Sequence, residues 1–233
     1  MRISAHSSKG SITNLTGLDR LDAQPDAVRS VKSYRRLAKG YDRTCTWIEA
    51  LRHVAVEGLK LQPGETVLDV ACGTGSTLPL LARKVGIQGR VLGIEHSPEM
   101  AQLARQRIAS DGGNVSIVVS SMADPGHVYA ADAVLMCYTQ DVLQSPAALD
   151  QLIKACKPGA RIAILGMKTV PWLWGWPFNL FNMYRARHYM TTFSNLDRPY
   201  RLLDQRGARI GVVDTALWGS AYIAVGLLPA ARA

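Results

Sequence analysis

The stretch "LDVACGTGSTLPLLA", residues 68–82, contains the turn that decides the fold. Two glycines, Gly73 and Gly75, stand one residue apart between a short apolar run and a helical pattern. In an open parallel sheet, glycines at a strand-to-helix turn let the backbone approach a ligand closely, and the following helix offers free N–H groups. We therefore expect a ligand-binding turn at the carboxyl end of a buried strand.

Strand and helix patterns alternate on both sides of this turn. Apolar runs predict strands at "TVLDVA", "RVLGIE", "VSIVVSS", "ADAVLMC" and "RIAILGM", which begin at residues 66, 90, 115, 131 and 161. Helical periodicity predicts the connecting helices, and Ser97 and Ser145, each followed by a proline, are typical N-caps. Strands that alternate with helices indicate a parallel sheet covered on both faces.

The two ends of the chain follow other patterns. Residues 208–228, "ARIGVVDTALWGSAYIAVGLL", hold two β-branched runs with no helix between them, which predicts an antiparallel hairpin. Residues 1–27 are polar and read as a loosely packed arm, and a helical pattern broken near Gly40 runs from Val28 to about Lys60. The predicted fold class is α/β: a Rossmann-like, seven-stranded, mostly parallel sheet with a C-terminal antiparallel hairpin and an N-terminal helical cap.

This organisation divides the chain into two parts. Residues 1–40 form the N-terminal arm and helical cap, and residues 41–233 form the ligand-binding domain. An aromatic insert at about 171–193 interrupts the second part between the fifth strand and the hairpin.

Composition limits the functional classes. The 27 basic and 18 acidic residues give a net charge of +9, which suits an anionic partner but also simple solubility. The four cysteines show neither CxxC pairing nor zinc-ligand spacing, so we expect no metal site and a reduced, cytoplasmic compartment. The first residues lack the apolar core of a signal peptide, and no apolar run approaches the ~20 residues of a membrane span.

The ligand class follows from the residues around the turn. Glu95 ends the next predicted strand, 20 residues after Gly75, where an acidic side chain can accept hydrogen bonds from ribose hydroxyls. The dinucleotide motif requires a third glycine or alanine where this chain has Leu78. No Gly-Lys-Ser/Thr follows, which excludes a Walker motif. A nucleoside ligand is therefore favoured.

The segment from about Tyr41 to Gly166 resembles class I S-adenosylmethionine (SAM)-dependent methyltransferases of the small-molecule branch. "VLDVACGTG" looks like the family's first motif, "GIEHSPEM" like its second, "VVSSMADP" stands where Gly-Asp-Ala usually precedes the adenine, and "KPGARI" matches the turn entering strand five. The resemblance implies SAM as cofactor, with the first motif on its methionine end and Glu95 on its ribose. The cofactor-binding residues it implies are Tyr41, Asp69, Cys72, Gly73, Thr74, Gly75, Glu95, His96, Ser121, Met122 and Cys137.

Candidates for the chemistry lie after strand four and in the insert. Tyr138 and Gln140 belong to "CYTQD", where the family places groups beside the reactive methyl, and Tyr184 is a polar residue of the insert. The insert "PWLWGWPFNLFNMY" is interpreted as a membrane-surface element, as a dimer contact or as a lid. We favour the lid, and expect residues of about 28–45, with Tyr34, Tyr41 and Trp47, to close over SAM together with 171–193.

Three hypotheses for the function remain. The first is methyl transfer from SAM to a small-molecule or lipid-like acceptor. The second is ring closure of SAM to azetidine-2-carboxylate with release of methylthioadenosine, as in the synthases of that name, and the third is a SAM-binding module without turnover. We expect no nucleic-acid substrate, because no Asn-Pro-Pro-Tyr motif follows strand four, and no stable membrane insertion. The oligomeric state is left open.

Overall fold

A seven-stranded sheet organises the molecule. The computed structural model describes residues 20–45, 48–109, 113–126 and 128–230. The strands are β1 Thr66–Val70, β2 Arg90–Glu95, β3 Val115–Val119, β4 Ala131–Cys137, β5 Cys156–Met167, β6 Arg209–Ala216 and β7 Ala221–Leu227. Their order is β3-β2-β1-β4-β5-β7-β6. The first five strands pair in parallel, and β7 runs antiparallel to both β5 and β6. The predicted fold class is therefore confirmed, including the C-terminal hairpin.

Helices connect the strands and cover both faces. They are α1 Ala27–Leu37, α2 Tyr41–Cys45, α3 Glu49–Gly58, α4 Leu78–Val85, α5 Pro98–Ile108, α6 Gln140–Leu143, α7 Pro146–Ala155, α8 Trp172–Ala186 and α9 Arg201–Asp204. The two serine caps form as predicted: Ser97 Oγ accepts from Met100 N–H and Ser145 Oγ from Ala148 N–H. Trp47, which we expected in the cap, lies outside the described residues.

The core lies on both sides of the sheet. Along β1, Leu68 and Val70 belong to one buried cluster, and Val67 belongs to the cluster on the opposite face. This alternation follows from the two-residue period of a strand. Because both faces are covered by helices, the central strands read as continuous apolar runs, and Asp69 is a polar exception within β1.

The first described residues are fastened to the segment that follows α8. Arg20 donates through Nη1 to the carbonyl oxygens of Arg187, at 2.6 Å, and Met190, at 2.7 Å. Asp26 caps α1 by accepting from Arg29 N–H, and its own N–H donates to Thr191 Oγ1 at 2.9 Å. Residues 20–26 are therefore held in place, in contrast to the loose arm expected over residues 1–27, of which residues 1–19 lie outside the described part.

None of the helices within the described residues is both long enough and apolar enough to cross a membrane.

Candidate functional site

A cleft opens at the carboxyl ends of the central strands. It encloses about 980 Å³, part of which is open to solvent, and is lined by Val70 of β1, Glu95 of β2 and Cys137 of β4. The other side is lined by the two cap tyrosines, Tyr34 and Tyr41, and by Pro25, Ala27, Ser30 and Val31. The strand order reverses beside β1, and this switch point is where open α/β sheets bind their ligands.

The glycine turn forms the floor of the cleft. Gly73 (φ 58°) and Gly75 (φ 75°) both adopt the left-handed backbone conformation, which disfavours other residues. Gly73 lines the cleft, and the only heavy atom within 4 Å of a Cβ placed there, apart from its chain neighbours, would be Met100 Cε at 3.9 Å. A Cβ on Gly75 would lie 3.1 Å from Ala104 Cα. Gly73 therefore leaves space for a ligand, whereas Gly75 allows the turn to pack on α5.

Glu95 is held with both carboxylate oxygens oriented. Its Oε2 accepts from Gly73 N–H at 2.8 Å, and its Oε1 accepts from Ser97 N–H at 2.7 Å. Burial raises the pKa of the Glu95 carboxyl, although these N–H donors act in the opposite direction. Each carboxylate oxygen has a second lone pair, so the side chain can accept further hydrogen bonds from a ligand in the cleft.

Asp69 lies beneath the turn and does not line the cleft. It is only 1% exposed, and its Oδ2 accepts from Thr77 Oγ at the start of α4. Burial raises the pKa of Asp69 to about 7, although the Thr77 hydroxyl and the Arg52 guanidinium lower it. The structure thus gives Asp69 a contact that fastens the turn, and its predicted contact with the methionine end of SAM stays a prediction.

The helical cap is bonded to the glycine turn through Asp42. Thr74 Oγ1 donates to Asp42 Oδ1 at 2.6 Å, and Arg107 of α5 bonds the other oxygen of the same carboxylate. Thr74 is therefore buried under the cap and is absent from the lining of the cleft. Because Tyr41 precedes Asp42 in the chain, this bond also positions the Tyr41 ring at the cleft.

Three tyrosines join the cap to the segment after α8. The rings of Tyr34 and Tyr41 meet edge to face with centroids 6.0 Å apart, and those of Tyr41 and Tyr189 do so at 6.1 Å. Tyr34 also donates its hydroxyl to the carbonyl of Tyr189 at 3.0 Å. The two segments predicted to close over the cofactor therefore touch each other at Tyr189, beside the cleft.

The end of β3 provides another wall of the cleft. Ser121 and Met122 line it, together with the exposed His96 that follows β2. Asp124 holds this loop, because its Oδ2 accepts from Ser121 N–H at 2.9 Å and from Ser120 Oγ at 2.8 Å. Sequence reasoning found Ser121 and Met122 but overlooked Asp124, which stands three residues after the position where we sought an acidic side chain.

The end of β4 brings Cys137, Tyr138 and Asp141 to the cleft. Tyr138 has a left-handed backbone (φ 56°), as has Ala71 (φ 52°) on the opposite side; strain at residues other than glycine is typical of functional sites. Asp141 accepts from the backbone N–H and the hydroxyl of Thr191, at 2.9 and 2.7 Å. Burial raises the pKa of Asp141 and that of the Cys137 thiol.

Two predicted catalytic residues are not part of the cleft lining. Gln140 is buried, and its Nε2 donates to the carbonyl of Ser194 at 2.7 Å. Tyr184 of α8 is exposed, with the Arg187 guanidinium 3.6 Å from its ring centroid. Of the other predicted residues, Cys72 and Gly75 are buried behind the turn, and none of the aromatic side chains of α8 lines the cleft.

The residues that sequence reasoning missed are mostly polar anchors. Three of them bond a segment that is distant in sequence: Asp42, Arg107 and Asp141. The fourth, Asp124, bonds the backbone of its own loop. No spacing rule identifies such partners. Asp141 is the one whose sequence position indicated a place at the cleft, because it lies four residues after Cys137, which ends β4.

The two glycines give a paired prediction. Gly73→Ala is expected to destabilise the fold by about 1 kcal/mol, the strain of a left-handed alanine, and to weaken SAM binding because its Cβ enters the cleft. Gly75→Ala adds overlap with Ala104 and is expected to cost about 2–4 kcal/mol. Urea unfolding and titration calorimetry measure the two effects. Equal losses of stability in the two variants would contradict the roles assigned to the glycines, which are space for a ligand at Gly73 and close packing on α5 at Gly75.

The comparisons with known proteins agree with this geometry. Residues 67–159 match the model of a family described as a methyltransferase domain. A 2-phytyl-1,4-naphtoquinone methyltransferase of Nostoc sp. (strain PCC 7120 / SAG 25.82 / UTEX 2576) is 33% identical over 57% of this chain and 62% of its own length. A ubiquinone/menaquinone biosynthesis C-methyltransferase of Geotalea daltonii is 30% identical over 58% of this chain and 57% of its length. The chain thus spans about three fifths of these curated relatives.

A solved structure shares the fold. The geranyl diphosphate C-methyltransferase of Streptomyces coelicolor A3(2), in complex with Mg²⁺, geranyl diphosphate and S-adenosylhomocysteine, superposes with a TM-score of 0.60. It is 18% identical, and the match covers 78% of this chain and 79% of that one. Residues 67–159 therefore match a methyltransferase domain, and this chain shares the fold of the solved methyltransferase structure.

Proposed function

We propose that this protein transfers a methyl group from SAM to a small, apolar or lipid-like acceptor. The observation that carries the proposal is the Glu95 carboxylate at the switch point of the sheet. Its two oxygens are oriented by the N–H groups of Gly73 and Ser97, and the side chain lines the cleft. A carboxylate preorganised in this way suits the two vicinal hydroxyls of a ribose.

The remaining parts of SAM have matching surroundings in the proposal. The methionine end lies over Gly73, where the backbone is bare, and the adenine lies towards His96, Ser121 and Met122. Tyr41 closes the cleft from the cap. Aromatic rings and oxygen atoms favour the sulfonium cation, and Tyr41, Tyr138 and Asp141 supply them among the residues that line the cleft.

The reaction needs positioning more than activation. An electron pair of the acceptor, from an oxygen atom or from a π bond of its ring, attacks the methyl carbon in line, the carbon–sulfur bond breaks, and its electrons return to sulfur as S-adenosylhomocysteine leaves. Holding the two reactants in this alignment supplies most of the rate enhancement. A proton released by the acceptor needs a base, and Asp141 is the titratable side chain that lines the cleft beside Cys137 and Tyr138.

The class of acceptor is proposed from two sources. The relatives described above are named for methylation of phytyl naphthoquinone and of ubiquinone or menaquinone precursors, so a prenylated ring is our first candidate. The cleft supports it, because Val31, Val142 and Ala148 give its wall an apolar character. The names of these relatives disfavour ring closure of SAM and a module without turnover.

The proposal also covers location and partners. We propose a cytoplasmic enzyme, since the free thiols of Cys72, Cys137 and Cys156 suit a reducing compartment. A small-molecule acceptor, and not a nucleic acid, fits a cleft that the cap covers. The two-part division at residue 40 remains a proposal of the same kind, and so does closure over SAM of residues of about 28–45 with the end of 171–193 that contains Tyr189.

Incubation with SAM tests the reaction itself. We expect S-adenosylhomocysteine to appear only when a prenylated naphthoquinol is added, with a product heavier by one methylene, both measured by mass spectrometry. Methylthioadenosine formed from SAM alone together with azetidine-2-carboxylate, and faster than in the absence of the protein, would instead establish ring closure. Tight SAM binding without either product, across a panel of quinols and phenols, would favour the binding module.

Replacement of Glu95 tests the cofactor assignment. Glu95→Ala removes acceptors for the ribose hydroxyls and is expected to weaken SAM binding at least about tenfold, or about 1.4 kcal/mol. Titration calorimetry measures this change. Glu57→Gln, in an exposed ion pair with Lys84 far from the cleft, is the control and should bind SAM normally. Unchanged affinity of Glu95→Ala would refute the assignment.

Replacement of Asp141 tests its role as the base. Because a base acts when deprotonated and burial raises its pKa, kcat should rise with pH through a value above the ordinary carboxylate range. In Asp141→Asn this rise should disappear and kcat should fall about 10²-fold or more. Gln140→Ala removes a neighbouring bond to the same segment without touching the cleft. If it loses the pH dependence equally, Asp141 acts only by positioning.

A further inference from the structure

Helix α8 turns most of its large apolar side chains away from the rest of the protein. Its buried positions are Gly175, Asn179 and Met183, one turn apart along a single narrow stripe. Met183 packs in a buried apolar cluster, whereas most of the large rings and Leu173, which is 94% exposed, point outward. We call the outward set the aromatic face; it comprises Trp172, Leu173, Trp174, Trp176 and Phe181 of α8 with Trp218 of the β6–β7 turn. A helix that packs on a protein core in water normally turns such large apolar side chains inward.

The inward side of α8 has no room for larger groups. A Cβ on Gly175 would lie 2.1 Å from Val170 Cγ2. Asn179 uses its amide twice, accepting from Val170 N–H at 3.0 Å and donating to Val170 O at 2.9 Å. These contacts fix the rotation of α8 about its axis. The exposure of the tryptophans is therefore a consequence of close packing on the other side and cannot be relieved by turning the helix.

Trp218 extends the aromatic face at the adjoining turn. It is 85% exposed, and both Leu217 and Trp218 have left-handed backbones, with φ of 53° and 57°. Asparagine and glycine are the usual residues for such conformations, so bulky apolar residues here are strained. The Trp218 ring lies 5.7 Å from that of Phe178, which joins the turn to α8.

The aromatic face lies at the edge of the sheet that holds the cleft. Met167, which ends β5, pairs with Ala221, and Ala221 pairs with Ala216 on either side of the turn that contains Trp218. Cys137, which ends β4 in the cleft lining, pairs with Leu165 of β5. A surface that contacts the aromatic face therefore also meets the carboxyl edge of the sheet.

The charge beside the α8 part of the aromatic face is positive, whereas the exposed Asp214 precedes the turn that contains Trp218. No acidic residue occurs between Asp150 and Asp197, whereas Lys168, Arg185 and Arg187 lie within that interval. Arg185 stacks over the Phe181 ring at 5.9 Å, at the border of the aromatic face. Tryptophan rings beside arginines match the boundary between the acyl chains and headgroups of a bilayer with anionic lipids.

We propose that the aromatic face docks reversibly on the surface of a bilayer that contains anionic lipids. The tryptophans and Leu173 enter the interfacial region, and the flanking cations meet the headgroups. Docking of this kind needs no spanning helix. It goes beyond the proposed function, since bilayer binding and methyl transfer are measured separately, and the loss of one leaves the other in place. It would also bring the cleft edge to the phase in which a lipid-like acceptor is dissolved.

The tryptophans themselves provide the readout. Four of the five in the chain, Trp172, Trp174, Trp176 and Trp218, belong to the aromatic face. On adding vesicles of phosphatidylcholine and phosphatidylglycerol, we expect fluorescence to shift to shorter wavelength and to be quenched by brominated acyl chains. Flotation should recover the protein with these vesicles, less with phosphatidylcholine alone, and less at high salt.

Matched variants locate the contact. Leu173→Glu should lower vesicle partition at least about tenfold, because it puts a charge at the centre of the apolar surface. Ile87→Glu is the control, since Ile87 is 79% exposed in the turn after α4, and it should leave partition unchanged. Arg185→Gln should reduce the preference for phosphatidylglycerol, whereas Arg83→Gln on α4 should not. All four positions carry exposed side chains, so unfolding midpoints should stay close to that of the parent.

Three outcomes would overturn the proposal. The first is that the protein does not partition onto either type of vesicle, or that Leu173→Glu and Ile87→Glu lower vesicle partition equally. The second is a lipid-free dimer in sedimentation velocity that Leu173→Glu dissociates, which makes the aromatic face a contact between copies of the chain. The third is slower hydrogen exchange of α8 on adding S-adenosylhomocysteine without lipid, which makes the insert a lid.

Discussion

The double hydrogen bond to Glu95 is the constraint on which the site depends. Its carboxylate joins two loops that leave neighbouring strands, accepting from Gly73 after β1 and from Ser97 after β2. The bond from Gly73 requires the left-handed turn, and the bond from Ser97 requires the capped start of α5. The Glu95 side chain therefore stabilises both backbone conformations, and both conformations orient the side chain. A buried carboxylate would be costly without these donors, and with them it is preorganised for a ligand.

A second set of carboxylates builds the walls of the cleft from segments remote in sequence. Asp42 bonds the cap to Thr74 in the glycine turn, and Asp141 bonds the end of β4 to Thr191. Arg20 and Asp26 add further contacts from the first described residues to the segment after α8. The cap is thus held by polar bonds more than by a large apolar core, since α1 has no buried residue. Such an attachment is suited to opening and closing around a ligand.

The aromatic insert shows how one local requirement sets a distant surface. The bonds between Asn179 and Val170 and the close approach at Gly175 fix the rotation of α8 about its axis. Most of its large rings are therefore exposed to solvent. A lid over the cleft and a surface that docks on a bilayer are both rich in aromatic residues, so the sequence of the insert does not distinguish them. The orientation of the helix separates them, because the aromatic side chains of α8 lie outside the lining of the cleft while Tyr189, beyond its end, touches Tyr41.

The sequence by itself determined the order of strands and helices, the serine caps, the C-terminal hairpin and the positions of Gly73 and Glu95 at the carboxyl ends of β1 and β2. These features depend on periodicity, glycine conformation and spacing. Such properties act over a few neighbouring residues, so they can be inferred from the order of residues alone. Only the tertiary structure decided that Asp69, Thr74 and Gln140 bond to Thr77, Asp42 and Ser194, that Asp141 lines the cleft, and that most rings of α8 point outward. Those outcomes depend on which distant segment meets each side chain, and the spacing of residues along the chain does not encode that partner.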